Sequence, residues 1–308
     1  MRLPELGSPR DRIVALLWLG PIGILFAAAI VLIANVLRDT PAIAAFIEQY
    51  RGKTSTIEGA PVGFPVWLQW QHFLNSFLLL LIVRTGWQIR TAGRPPLRWQ
   101  RRNTGLIRTK NPPTKMSIYS WFHQSLDVLW VANGILFYVL LFTTNQWMRI
   151  VPVSWDVLPH ALSVGIQYAS LNWPTENGWV HYNALQLLTY FVTVFIAAPL
   201  AILSGLRMSP AWSPRLGVLN RIYPLPWARA IHFPVMLYFV GFTIVHVGLV
   251  FATGALRNLN HIYGGRDEVN WVGFWIFAAS VVIMLAAWLF ARPALLGKVA
   301  SITGTVGR

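Results

Sequence analysis

Of 308 residues, 55% are apolar, 11% are charged and 16 are Trp, proportions that exclude an ordinary soluble domain and fit a polytopic membrane protein. Cys is absent, which excludes disulfides, thiolate-held iron–sulfur clusters and haem attached through CxxCH, so metal chemistry falls to His, Met, Asp or Glu. A net charge of +15 would suit nucleic acid, but the basic residues flank apolar runs and so speak to topology.

About 20 apolar residues cross the hydrocarbon core of a bilayer. Six runs reach that length, roughly 12–36, 65–87, 119–143, 183–206, 229–253 and 271–291. The fold class expected is therefore all-α, with six transmembrane helices. The first run, IVALLWLGPIGILFAAAIVLIANVL, is too long for the h-region of a signal peptide and lacks a small-residue cleavage site, so it reads as a retained helix. The second contains His72 and the third His123. The segment 156–171, DVLPHALSVGIQYASL, is too short to span and is expected in the interface or against an extramembrane face. The fourth run has no His within it and ends in SGLRMSP at Pro210, with Arg207 at its rim. The fifth contains His232 and His246, and Pro234 is expected in its first turns, where a missing N–H costs least.

Lys and Arg number three before the first run, nine in 84–118, four in 207–229 and three after the last run. The alternate connections, 37–64, 144–182 and 254–270, carry three, one and two. That bias of 19 to 6 predicts both termini and the RTAGRPPLRWQRRNTGLIRTK loop on the cytoplasmic side of the cell membrane. On that topology His72 and His246 share an outer level, and His123 and His232 share an inner one.

A histidine at membrane depth is costly and usually functional, although a solitary one reads as a packing or proton-relay residue. Here there are four. Fourteen residues separate His232 from His246, about 21 Å of rise and about 40° of rotation in an α-helix. One face of the fifth helix thus presents two imidazoles, and the second and third helices can each supply an opposing one. Bis-histidine ligation of two stacked haems inside a helical bundle needs that arrangement. Arg229, one turn before His232, is placed to pair with a haem propionate. Gly241, Gly86 and Gly134 would let a porphyrin approach the backbone or let helices pack closely, and the residues alone leave both open.

Residues 65–265 resemble the bacterial di-haem cytochrome b membrane subunits of nickel–iron hydrogenases, formate dehydrogenases and thiosulfate reductases, a cytochrome b561-like group. WLQWQHFLNSFLLLLIVRTG is similar to the family's first core helix, with its histidine, following Asn and closing Thr-Gly. SWFHQSLDVLW resembles the second helix, YNALQLLTYFVTVFIAAPLAILSGLRMSP the third and RAIHFPVMLYFVGFTIVHV the fourth. The RxxH pair alone is weak, but four helices in order with one, one, none and two histidines are specific. The resemblance implies His72, His123, His232 and His246 as haem-iron ligands, in the pairs His72–His246 and His123–His232. It further implies two haem b, quinone as exchangeable substrate, and electron relay to a separately encoded oxidoreductase, with molybdopterin-dependent enzymes among the options. No catalytic residue is implied, since the chain would be an electron-transfer subunit rather than a self-sufficient enzyme. The divisions expected are 1–64, an extra N-terminal helix with its outer connection; 65–265, the four-helix core; and 266–308, a C-terminal helix and tail. The extra helix is a departure, because it sets the core's first helix running out-to-in, the reverse of familiar members.

Two other classes are weighed. A transporter would show inverted repeats or broken helices, and neither is evident. A self-contained transmembrane haem reductase, acting on a metal ion or small oxidant, would differ from a relay by working without a partner. His160 and His261 fall in outer connections and His181 at the outer mouth of the fourth helix; all three are expected at surfaces or interfaces, with His181 the best of them for proton handling or a propionate contact. LRWQRRN resembles a nucleic-acid patch in composition, but beside a membrane helix it reads as a contact for anionic lipid headgroups or an acidic partner.

Overall fold

The computed structural model describes residues 9–55, 57–104, 108–173, 177–213 and 215–308, with side chains from residue 20 onward. In chain order its elements are α1 (Pro9–Arg38), α2 (Pro41–Gln49), α3 (Val66–Thr91), β1 (Arg98–Arg101), β2 (Met116–Ser117), α4 (Ile118–Thr143) and α5 (Val157–Ala169). Then come α6 (Ala184–Phe191), α7 (Ala198–Met208), α8 (Gly217–Ile222), α9 (Leu225–Ala252), α10 (Ala255–Leu259), α11 (Val272–Phe290), α12 (Pro293–Ala300) and β3 (Gly304–Gly307). Wider π-helical turns, Val192–Ala197 and Asn260–Gly264, join α6 to α7 and follow α10.

Among the described residues, six stretches are long and apolar enough to cross a bilayer: Gly20–Arg38, Val66–Thr91, Ile118–Thr143, Ala184–Met208, Leu225–Ala252 and Val272–Phe290. The chain is an all-α multi-pass membrane protein, as run lengths predict. A helix satisfies its own backbone where no water can, which is why these apolar runs fold this way. Large apolar side chains such as Ile24, Val128, Ile244 and Val282 remain exposed, as lipid-facing positions require.

Local chemistry sets the ends. Ser117 caps α4, its hydroxyl accepting from the Ser120 N–H at 2.9 Å. Pro224 precedes α9 and Pro226 lies in its first turn, where proline is favoured. Because α9 starts at Leu225, Pro234 is an interior proline rather than a first-turn one, which corrects the sequence expectation. It denies the Ala230 carbonyl its helical donor, a loss membrane helices tolerate when neighbours compensate.

The chain divides into two compact units, and residues 266–308 belong to the same unit as 59–149. One unit comprises residues up to Glu58, Ile150–Asn177 and His181–Thr189. In it α5 packs on α1 and α2. Asn35 donates to the Ser170 carbonyl at 3.2 Å, and Val157, Ala161 and Ala184 form a small buried cluster.

The other unit holds α3, α4, α7, α9 and α11. Here α3 lies along α4, and α7 along α9. Leu78, Leu81 and Leu126 are buried among Phe77, Phe122, Trp130 and Ala287 where α3, α4 and α11 meet. In lipid such contacts act by close packing rather than by leaving water. The π-turn at Val192–Ala197 widens the helix, and Tyr138 of α4 donates its hydroxyl to the Val194 carbonyl at 2.5 Å.

A small antiparallel sheet was not expected. β1 pairs with β2 on one side and with β3 on the other, joining the basic loop to a segment some 200 residues later. Trp99 anchors it, packed with Ile118, Leu296 and Ala300 and donating its indole N–H to the Ala300 carbonyl at 3.0 Å.

Candidate metal centre

His72 lies on α3, His123 on α4, and His232 and His246 on α9, all in one compact unit. The structure brings them together in twos. Ring centroids are 6.3 Å apart for His72 and His246, and 6.4 Å for His123 and His232.

The His123–His232 pair is held by hydroxyls. Thr85 of α3 lies 2.8 Å from His123 Nδ1, and Ser204 of α7 lies 2.9 Å from His232 Nδ1. Each hydroxyl already donates backwards, Thr85 to the Leu81 carbonyl at 2.8 Å and Ser204 to the Leu200 carbonyl at 2.6 Å. A hydroxyl has one proton. With that proton committed, each oxygen accepts from an imidazole Nδ1–H, which leaves the Nε2 lone pair for a metal. The next residue in both cases is glycine. A Cβ added at Gly86 would sit 3.4 Å from His123 Cε1, and one at Gly205 would sit 3.3 Å from His232 Cε1. The dipeptides Thr85-Gly86 and Ser204-Gly205 therefore form matching cradles, one per ring.

The His72–His246 pair is held by aromatic faces. Phe242 stacks on His246 at 5.4 Å with planes 12° apart, and Tyr190 meets the same ring at 6.2 Å. Tyr263, from the Asn260–Gly264 turn, meets His72 edge-on at 5.7 Å. His72 Nδ1 is buried with no hydrogen-bond partner among the described residues.

The donor set can be tested against a cofactor. Among the described residues no group of three or more His, Asp or Glu is arranged to hold a metal ion by itself. A bare zinc ion takes four ligands, whereas haem iron brings its own in-plane nitrogens and asks for two axial ligands. An imidazole nitrogen sits about 2 Å from a bound metal and about 1.2 Å from its ring centre, so two rings across one ion have centroids about 6.4 Å apart. Both pairs fit that distance, and the orphaned His72 nitrogen is the kind of buried polar atom a site leaves.

Arg229 is exposed in the first turns of α9 and makes no hydrogen bond or ion pair with another described residue. Gly134 and Gly241 have nothing within 4 Å of an added Cβ, so neither serves as a cradle here. Sequence reasoning missed Ser204, Gly205 and Asp127. The signal for the first two was the repeated hydroxyl-Gly dipeptide near the ends of two apolar runs. Asp127 is the only carboxylate in the six spans, which alone marks a residue as functional. Its Oδ2 lies 3.8 Å from His123 Nε2, one turn along α4.

Of the remaining histidines, His160 accepts from the Gly52 N–H at 3.1 Å and stands edge-on to Tyr50. His261 was expected at a surface or interface, and it is buried against Trp179 and Phe64. Its Nε2 meets Asp267 at 2.8 Å, and Arg257 grips the same carboxylate through two N–H groups. Burial pulls the His261 pKa below its usual value of 6.5, and Asp267 offsets only part of that. Nearby, Arg149 is buried and donates to the carbonyls of Gly63, Gly178 and Trp179. No protein-family model, curated protein or solved structure matches the chain, so the case for its chemistry rests on the geometry of these residues and the resemblance in its sequence.

Proposed function

We propose that the chain is an integral membrane di-haem b-type cytochrome, relaying electrons between the quinone pool and a redox partner oxidoreductase. The observation that carries this reading is the pair of histidine couples, 6.3 and 6.4 Å between ring centroids, stacked on one face of α9. His72 and His246 would hold one haem, and His123 and His232 the other. A bound haem supplies an iron that changes its charge by one electron. Thr85 and Ser204 keep a proton on the outward nitrogen of their imidazoles, so the other nitrogen is free to bind and the ring cannot turn. With both histidines of each pair engaged, a haem held there would supply electron transfer rather than a substrate position, which favours relay over catalysis. The resemblance of residues 65–265 to di-haem cytochrome b subunits supports the same assignment. Arg229 is the proposed propionate partner on the His232 side, its guanidinium suited to a carboxylate fork. The charge bias supports cytoplasmic termini, so fusions at Arg308 and within 144–173 should report opposite sides of the membrane.

The test is a pyridine haemochrome assay on purified protein, with two b-type haems per chain expected. A folded but colourless preparation, grown with haem in excess, would remove the reading.

A further inference from the structure

We propose a separate binding site, for the phosphate of an anionic phospholipid, where the β-sheet meets α4. A groove of about 580 Å³ lies there, with Trp99, Arg101, Arg102, Trp121, Ser125 and Ile302 among its walls. Strand alternation puts Trp99 and Arg101 on one face of β1. Trp99 is fixed by its bond to the Ala300 carbonyl, and Arg102 by one from its Nη2 to the Ser301 carbonyl at 2.8 Å. The groove is therefore built from both distant segments of the sheet, with Arg102 positioned before anything binds and Arg101 turned towards the Arg102 carbonyl at 3.3 Å and the Thr109 hydroxyl at 3.4 Å. None of the residues that line the groove is Asp or Glu, and the α4 carboxylate, Asp127, lies beside His123 instead. A guanidinium offers five N–H donors in a planar fork that matches phosphate.

The shape selects the ligand. Trp121 and Ser125 are the fourth and eighth residues of α4, so the groove follows about 6 Å of a membrane-spanning helix. A soluble acidic protein could meet the arginines but has no reason to follow a span into the bilayer. A phospholipid joins a phosphate to an acyl chain in that order. The residues next to Trp121 and Ser125 on α4, Phe122 and Leu126, line an apolar cleft with Leu81, Phe290 and Lys298, a surface suited to acyl chains. Basic pockets at the ends of membrane helices bind anionic headgroups in this way.

The experiment uses the whole purified chain in detergent, equilibrated with phosphatidylglycerol or with phosphatidylcholine of matched chains. Bound lipid is counted by native mass spectrometry. Phosphatidylglycerol should be retained roughly tenfold over phosphatidylcholine, because two cations near one headgroup each favour the anion. Arg101→Gln with Arg102→Gln should abolish the preference, while Arg215→Gln with Arg221→Gln should keep it. If the first double variant does not fold, Ser125→Trp, which blocks the chain path and spares both arginines, should lower retention in its place. Equal retention of the two lipids, or an undiminished preference in the groove variants, overturns the site. Release of the lipid by excess inorganic phosphate would show a bare anion site, and preferential binding of polyglutamate would show a protein-docking surface; either result overturns the lipid assignment.

Discussion

The two histidine pairs have almost the same ring separation, 6.3 and 6.4 Å, yet they are fixed by unlike means. At one, each Nδ1 meets a hydroxyl and each ring lies over a glycine. At the other, Phe242, Tyr190 and Tyr263 enclose the rings, and His72 Nδ1 meets nothing among the described residues. An aromatic wall fixes the plane of an imidazole. A hydroxyl that accepts from Nδ1–H fixes its tautomer and raises its basicity as well. Ring position and ring electronics are thus set separately, and two pairs of the same residue type have different surroundings. With haem in place, the hydroxyl-held centre should have the lower reduction potential, since a more basic ligand favours the ferric state.

The largest effect expected follows removal of a ligand. His232→Ala should halve the haem content measured as pyridine haemochrome and leave the spectrum of the His72–His246 centre, and His246→Ala should do the reverse. Two variants that lose both centres alike would break the comparison, because the levels would then not be independent.

Next come the hydroxyls. Ser204→Ala and Thr85→Ala should each weaken haem retention at the His123–His232 level by about 10- to 100-fold, the usual cost of losing an outer-shell partner of a ligating histidine. The potential of that centre should rise towards that of its neighbour in a redox titration that resolves the two. An unchanged potential would show that the hydroxyls position the rings without polarising them.

Smaller again is the glycine effect. Gly205→Ala places a methyl 3.3 Å from His232 Cε1, so the ring or the helix must give by a few tenths of an ångström. The cost should be about 1 kcal/mol, or roughly fivefold in haem affinity. Gly241→Ala, with nothing within 4 Å, is the control and should change nothing. Equal losses from both would move the cradle from geometry to general helix packing.

The smallest effect belongs to the turn that carries Tyr263 against His72. His261 in that turn is buried, faces Asp267 directly, and has Arg257 and Arg149 as its charged neighbours. Its folded pKa is depressed, so on acidification the opened turn protonates first, near pH 6.5. Stability of the turn is therefore full above about pH 6.5 and declines as the pH falls towards the lower folded value. Amide protection in 257–268, corrected for the intrinsic rate, should fall as the pH is lowered below about 6.5. Only the aromatic-held centre should shift with it; a parallel shift in the other would contradict the separation.

Much of this arrangement was legible in the residues. Run lengths fixed six spans because lipid admits so few solutions for a backbone, and counting depth from run ends was enough to set His72 level with His246. The cradles were harder. Thr85 and Ser204 meet their imidazoles across helix interfaces, and a Ser or Thr inside a helix usually returns its hydroxyl to its own backbone, as these two also do. Gly86 stood out while Gly205 did not, though each receives a ring. Pro234 was misplaced because the helix begins at the Pro224–Pro226 punctuation, earlier than hydropathy alone suggests. The π-turns leave no periodic trace, since a single widened turn changes register without changing composition. The sheet was hidden for another reason: β1 is four residues of Arg, Trp and Gln, and its partner β3 is a short Gly-Thr-Val-Gly, neither of which alternates long enough to announce a strand.

That sheet has a consequence in time. About 200 residues separate β1 from β3, and at ribosomal rates of roughly 5–20 residues per second the second partner emerges about 10–40 s after the first strand. Through that interval one edge of β1 has no strand beside it, and Trp99 lacks the Ala300 carbonyl that later receives its N–H. The inserting chain thus holds an unfinished joint while the helices bearing His123, His232 and His246 are laid down. Closure of β3 on β1 is a late event of biogenesis, and slowing or speeding translation over the intervening spans changes how long the joint stands open.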